Sequence, residues 1–232
     1  MLELLKYLKL KEVFIQEVIV CRSETPVFKA SSIQKRYGRQ AEKIRLKPRV
    51  IVSSVPFRAY DGTNRNRGMK LASADYIVFL DADDLYAECM FDIISNIFIS
   101  TDCDAVLHNY TFDTSDFKEI DEYRVKTLEL EYPDSAALLD FQKPIRIKNS
   151  SELPKLHHAQ LSMKKGAFLE EFLDIFPGAD TEYCKRVIRS GKRVVYIDEK
   201  LSFWNRKRSF RYKIRLVRNK LRLKSRFHSQ NQ

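Results

Sequence analysis

Residues 65–84 read Arg65-Asn66-Arg67-Gly68-Met69-Lys70-Leu71-Ala72-Ser73-Ala74-Asp75-Tyr76-Ile77-Val78-Phe79-Leu80-Asp81-Ala82-Asp83-Asp84. The middle of this stretch, residues 76–80, is an unbroken apolar run of strand length, and it runs directly into three carboxylates. In open α/β sheets ligands gather at the carboxyl ends of strands. Carboxylates there can hold Mg²⁺ or Mn²⁺ through one or two oxygens while substrate phosphates complete the shell. The plainer alternative is that Asp83 or Asp84 caps a following helix and the others are solvated. Three neighbouring acids repel one another unless a cation lies between them, which favours the metal. Just upstream, residues 61–68 form a polar, Gly-containing turn into a helix whose Met69, Leu71 and Ala72 face a core. The cations of this turn suit phosphate oxygens, although a loop of this composition is as readily a solvated turn.

Outward from this stretch, short apolar runs alternate with helical patterns, which predicts an α/β protein whose crossover units build a largely parallel sheet. Strands are expected at residues 17–21, 49–53, 75–80, 104–110, 156–163, 193–197 and 201–204. Helices are expected at 2–11, 29–43, 64–72, 87–100, 165–175 and 180–190, the last closed by Gly191 in the C-terminal capping place. Residues 111–154, interrupted by Pro133 and Pro144, read as an insertion over the strand ends where substrates bind.

Composition narrows the class. A chain of 232 residues that is 44% hydrophobic can bury an ordinary core, so disorder throughout is excluded. No stretch approaches the roughly 18 apolar residues of a spanning helix, and nothing resembles a secretory leader, so a cytoplasmic location is expected. Cys21, Cys89, Cys103 and Cys184 are scattered and read as small apolar residues. The net charge of +11 is localised: residues 206–232 hold eleven Lys and Arg and no acid, so the body before them is neutral. Within this tail Phe210, Ile214, Val217 and Leu221 recur at helical spacing. A basic amphipathic helix follows, which either packs on the domain or docks at the inner face of an anionic membrane. Binding of nucleic acid through the same cations is the rival from another class, disfavoured by the neutral body.

Taken together, residues 65–84 closely resemble the hallmark of family 2 glycosyltransferases with the GT-A fold, in which an Arg-Asn-x-Gly helix start leads through a buried strand to Asp-x-Asp. Gly178-Ala179-Asp180-Thr181-Glu182-Tyr183, with the helix, Gly191 and strand that follow, resembles the family's second acidic motif. The resemblance implies a GT-A-like, mostly parallel sheet flanked by helices over residues 1–205, with 206–232 as an appended tail. It further implies a metal-dependent, inverting transfer of sugar from a nucleotide-diphosphate donor, a UDP-sugar foremost, to a glycan or lipid-linked acceptor. Asp83 would be the main ligand of Mn²⁺ or Mg²⁺ with Asp81 assisting, and Arg65, Asn66, Asp81 and Asp83 would bind the donor. Asp180 would be the general base; read locally, it is equally a helix N-cap. A non-catalytic relative that keeps the fold as a scaffold is the further alternative.

The chain departs from the family pattern at several points. The usual Glu-Asp pair is Ala179-Asp180 here, and the histidine that many relatives add to the metal shell has no counterpart. Arg206 is a candidate for the leaving diphosphate, unless it simply opens the tail. His158 and Gln160 share one face of an expected strand and are candidate acceptor contacts; Tyr110, Phe112 and Phe117 could stack on sugars or merely pack. The family opens with a strand that this sequence lacks ahead of residues 2–11. An apolar strand encoded in frame directly upstream of Met1 is therefore expected, because a central strand cannot be lost without unpairing buried backbone groups.

Overall fold

A computed structural model gives the fold, and it describes residues 14–81, 84–117, 120, 122–123, 125–127, 156, 160–168, 171–174 and 178–205. The expected helix at 2–11 and the basic tail at 206–232 lie outside the described residues.

The chain enters with strand β1 (Glu17–Arg22), helix α1 (Val27–Lys43) and strand β2 (Arg49–Ser54). β1 and β2 pair in parallel, Glu17 opposite Arg49 through Arg22 opposite Ser54, as a sheet of two. Helix α1 closes the outer edge of β2. Its Gln34 donates to Val50 O at 3.2 Å and accepts from Val52 N at 2.8 Å, replacing the ladder bonds an adjoining strand would make.

Helix α2 (Asp61–Leu71) leads into β3 (Tyr76–Val78), then β4 (Leu85–Tyr86), α3 (Met90–Ser100), β5 (Ala105–Thr111), β6 (Val125–Thr127), β7 (Leu161–Lys164), α4 (Ala179–Arg189) and β8 (Val194–Phe203). The six strands from β3 onward form a second sheet in the order β3-β7-β5-β8-β4, with β6 also on β8. Its centre is the parallel pair β5–β8, whose opening residues, 105–107 and 194–197, are apolar without alternation because both faces are covered there. Ala105, Leu107, Val194 and Tyr196 face one core with Phe172, Tyr183 and Val187. Val106, Val195 and Ile197 face the other, with Met90, Ile93 and Ile97 of α3.

The α/β, GT-A-like class stands, with three corrections of detail. Among the described residues β1–β2 and β5–β8 are parallel, while β3–β7, β5–β7, β4–β8 and β6–β8 are antiparallel, so the larger sheet is mixed rather than mostly parallel. The two strands expected at 193–197 and 201–204 are one continuous β8, paired along its length with β5 and on its other edge with β6 over its first half and β4 at its end. The described part of the helix expected at 165–175 is not helical: residues 165–167 turn, and residues 171–173 carry no regular structure, the backbone of Phe172 being bound by α2.

Candidate active site

Helix α2 is held to the larger sheet by the segment 171–174, which runs antiparallel along it. Lys70 pairs with Glu171 at 2.6 Å, and Thr63 Oγ1 donates to Asp174 Oδ1 at 2.5 Å. Gly62 is required by proximity, since a Cβ there would collide with Leu173 O. Between them Asn66, buried, clamps Phe172 through both of its amide ends: Nδ2 donates to Phe172 O and Oδ1 accepts from Phe172 N, each at 2.8 Å. The amide is thus committed to backbone, and its place is that of a brace under the site.

The brace sets Phe172 beneath Arg65. The Arg65 guanidinium lies 5.6 Å from the Phe172 ring centroid. Phe172 stacks on Tyr183 of α4 at 3.8 Å and 16°, and the Arg186 guanidinium lies 5.3 Å from the Tyr183 ring centroid. Each of the two stacked rings therefore meets a cation, and Arg186 is itself held by the buried Glu182. From this stack Arg65, with its side chain only 11% exposed, reaches the end of the Asp-rich strand and pairs with Asp81 Oδ1 at 3.3 Å; Asp81 remains 45% exposed.

Asp84 does not cap the next helix. It is buried, its N–H donates to Asp81 O at 3.2 Å, and its Oδ1 accepts from Asn205 N at 3.0 Å, tying the Asp-rich turn to the end of β8. Helix α3 starts instead at Met90, beyond the short β4. Arg67 points away from Asp81: Nη2 donates to Arg22 O at 3.1 Å and Ser53 O at 2.8 Å, binding together the carboxyl ends of β1 and β2.

Asp180 lies in the first turn of α4, whose N-cap is Gly178 at φ 110°, a conformation that favours glycine. The local cap reading is thereby corrected, for Asp180 Oδ1 accepts from Thr181 N at 2.8 Å inside the helix. Its charge opposes the positive end of the helix dipole. Burial pushes the thiol of Cys184, on α4, well up; Asp180 raises it further and Arg65 pulls it down.

The structure thus pairs Arg65 of α2 with Asp81, sets Asn66 beneath them as the clamp on Phe172, and places Asp180 in the first turn of α4, whose Tyr183 stacks on Phe172. Asp83, His158 and Arg206 lie outside the described residues. Gln160 is wholly buried and donates to His108 O at 2.9 Å, so it belongs to the sheet interior. Tyr110 meets Phe112 and Trp204 edge to face, and Phe112 and Trp204 lie tilted to one another, with ring centroids 5.1–5.7 Å apart. Phe172 and Tyr183 were not legible as site residues. Phe172 falls in a run with helical spacing, and its pairing with Asn66 spans 106 residues.

Among the described residues no three His, Cys, Asp or Glu side chains gather as a metal cage. The chemistry of Asp81 nevertheless fits a hard cation: a half-exposed carboxylate at a strand end, of the kind Mg²⁺ and Mn²⁺ take singly or in pairs.

Residues 29–152 match the model of glycosyl transferase family 2, more than half of the chain, and the chain belongs to that family. Its fold is similar to that of S. aureus TarS. The chain overlays TarS 1-349 with a TM-score of 0.54 at 15% identity, covering 86% of this chain and 56% of that one. For the complex of TarS 1-349 with UDP the values are 0.55, 14%, 84% and 55%. For its complex with UDP-GlcNAc they are 0.54, 13%, 88% and 55%. The chain thus spans about half the length of these structures. A comparison with curated proteins finds no match.

Proposed function

We propose that this chain is a glycosyltransferase that moves a sugar from a nucleotide-diphosphate donor to a hydroxyl acceptor, with inversion at the anomeric carbon. The observation that carries this reading is the pairing of Arg65 with the half-exposed Asp81 at the strand end, Arg65 being held over Phe172 of the Phe172–Tyr183 stack, with Asp180 in the first turn of the helix that supplies Tyr183. The TarS neighbours with UDP and UDP-GlcNAc support a UDP-sugar as donor.

In this reading Asp81 and Asp83 hold Mg²⁺ or Mn²⁺, which when bound offsets the charge of the donor diphosphate. Arg65 adds a fixed positive charge beside Asp81, oriented by Phe172 and not by solvent, so it needs little reorganisation as charge develops. Asp180 takes the proton from the acceptor hydroxyl while that oxygen attacks the anomeric carbon. The bond to the diphosphate oxygen breaks, and the diphosphate leaves with the electron pair. Arg206 and His158 are assigned to the diphosphate and acceptor sides. The acceptor is a glycan or a lipid-linked glycan, which gives the basic tail at 206–232 its use as a membrane-surface anchor. No helix among the described residues is long and apolar enough to cross a membrane.

The test is a titration of UDP-sugars with and without Mn²⁺ on the 232-residue protein and on Asp83→Asn, read as nucleotide binding and release. Mn²⁺-dependent binding that is lost in Asp83→Asn, with unchanged thermal unfolding, is expected. Binding that is indifferent both to Mn²⁺ and to the substitution would refute the metal assignment.

A further inference from the structure

Helix α1 carries a charge out of keeping with the neutral body around it. Residues 27–49 hold eight Lys and Arg against one acid, Glu42. Phe28, Ser32, Lys35, Arg36, Arg39 and Lys43 fall on one stripe of the helix by their spacing, and all six are exposed. Glu42 flanks the stripe, and the opposite face buries Tyr37 and Ala41. Among the described residues none of Lys35, Arg36, Arg39 and Lys43 pairs with a carboxylate.

The stripe ends in an apolar prow. Val27, Phe28 and Phe57 are 72%, 79% and 60% exposed, and with Ile99 they are the most exposed large apolar side chains described. Backbone bonds bring them together. Glu24 N donates to Phe57 O and Thr25 N to Val55 O, each at 2.9 Å, so the turn into α1 lies along the turn out of β2. Val27 follows Glu24 by three residues, which keeps the two segments within about 10 Å. Cations flank this prow: Lys29 lies 5.7 Å from the Phe28 ring centroid, and Arg58 follows Phe57. The acid beside them, Glu24, is matched by Arg58 at 3.9 Å. One exposed apolar side chain needs no explanation, but a cluster of them at the end of a stripe of one sign does. Nucleic acid would answer the cations and leave the prow in water. An anionic lipid surface answers both, since apolar side chains enter the acyl boundary while cations meet the headgroups.

We propose that α1 and the turn at Phe57 form a docking surface for an anionic membrane, with Val27, Phe28 and Phe57 entering the headgroup boundary and Lys35, Arg36, Arg39 and Lys43 lying along the headgroups. This surface is separate from residues 206–232. It also fixes an orientation. The prow follows the carboxyl ends of β1 and β2, where Arg67 binds Arg22 O and Ser53 O, and Arg65, on the same turn of α2, binds Asp81. Docking therefore holds the Asp81 end of the sheets at the membrane. Only the consequence that a lipid-linked acceptor is met there rests on the transferase reading.

Tryptophan reports the contact locally. Phe28→Trp and Phe57→Trp in the 232-residue protein, read against the background of the single Trp204, should shift to the blue and be quenched by brominated acyl chains. This should occur on vesicles of phosphatidylcholine with about 30% phosphatidylserine, and not on phosphatidylcholine alone. Absence of vesicle binding, or binding with both probes unquenched, would overturn the proposal. The second measurement is flotation. Phe28→Ser/Phe57→Ser should lose about 10-fold or more in vesicle partition with unchanged thermal unfolding. Lys35→Glu/Arg39→Glu should lose a similar factor, most strongly at low salt. Ile99→Ser, at a still more exposed position but on α3, should bind like the wild type. Unchanged partition of the first two variants, or an equal loss in Ile99→Ser, would overturn it. So would a dimer that the serine variant dissociates, or oligonucleotide binding that it abolishes, with vesicle partition unaffected. UDP binding in the same samples reads the transferase reading separately: lipid docking without UDP binding strikes that reading and leaves the docking surface intact.

Discussion

Replacing Asn66 by alanine removes both hydrogen bonds that fix Phe172 and leaves its N–H and C=O without the partners they have 2.8 Å away. Asn66 is buried, so water does not readily take the amide's place. Each buried backbone group left unsatisfied costs about 1–3 kcal/mol, which gives an expected loss of about 2–6 kcal/mol for the pair. For a domain of this size that corresponds to a fall in Tm of roughly 4–24 °C. Asn66→Asp should be no rescue. One carboxylate oxygen can still accept from Phe172 N, but the other then faces Phe172 O, two acceptors opposed at hydrogen-bond distance. The assay is urea unfolding of the wild type and both variants, paired with UDP titration below the unfolding transition. The brace predicts loss of stability together with weaker UDP binding, because Arg65 loses the Phe172 platform on which it lies. An Asn66→Ala protein within about 0.5 kcal/mol of wild type would refute the brace. If that stable protein also failed to bind UDP, Asn66 would be touching the donor directly.

Asp180→Asn should bind UDP-sugar normally and lose about 10²–10⁴-fold in kcat, since the base acts on the acceptor; unimpaired turnover would leave Asp180 as a first-turn residue of α4. Glu17 gives a pH signature. Burial pushes its carboxyl up, but the N–H of Ser73, Arg49, the N–H of Ala74 and the Ser73 hydroxyl outweigh this and hold it down at about 2. A depressed carboxyl stabilises the fold above its unfolded value and ceases to as pH falls, so up to about 3 kcal/mol should be lost between pH 4.5 and 2 and should be absent from Glu17→Gln. Urea unfolding across that range measures it, and parallel pH profiles for the two proteins would refute the assignment. Removal of residues 206–232 should weaken binding to anionic vesicles, most strongly at low salt, while leaving UDP binding unchanged; equal vesicle binding by both proteins in a flotation assay would reject the anchor.

The sequence alone was sufficient for what depends on near neighbours. The alternation of apolar strands with helices, the strand ending at the Asp81 turn, the helix that opens at Gly178 and Asp180 and closes before Gly191, and the segregation of charge into residues 206–232 are all patterns within about twenty residues, read by periodicity and composition. What only the tertiary structure decided depends on partners far along the chain. Residues 171–174 are not helical despite a helical pattern, because Asn66 and Thr63 bind them from more than 100 positions away and local propensity yields to those bonds. Gln160, on a face expected to meet an acceptor, is taken into the sheet by His108 O. The antiparallel entry of β7 between β3 and β5 followed from no local signal, because strand direction is set by which edges meet and not by the residues along one strand.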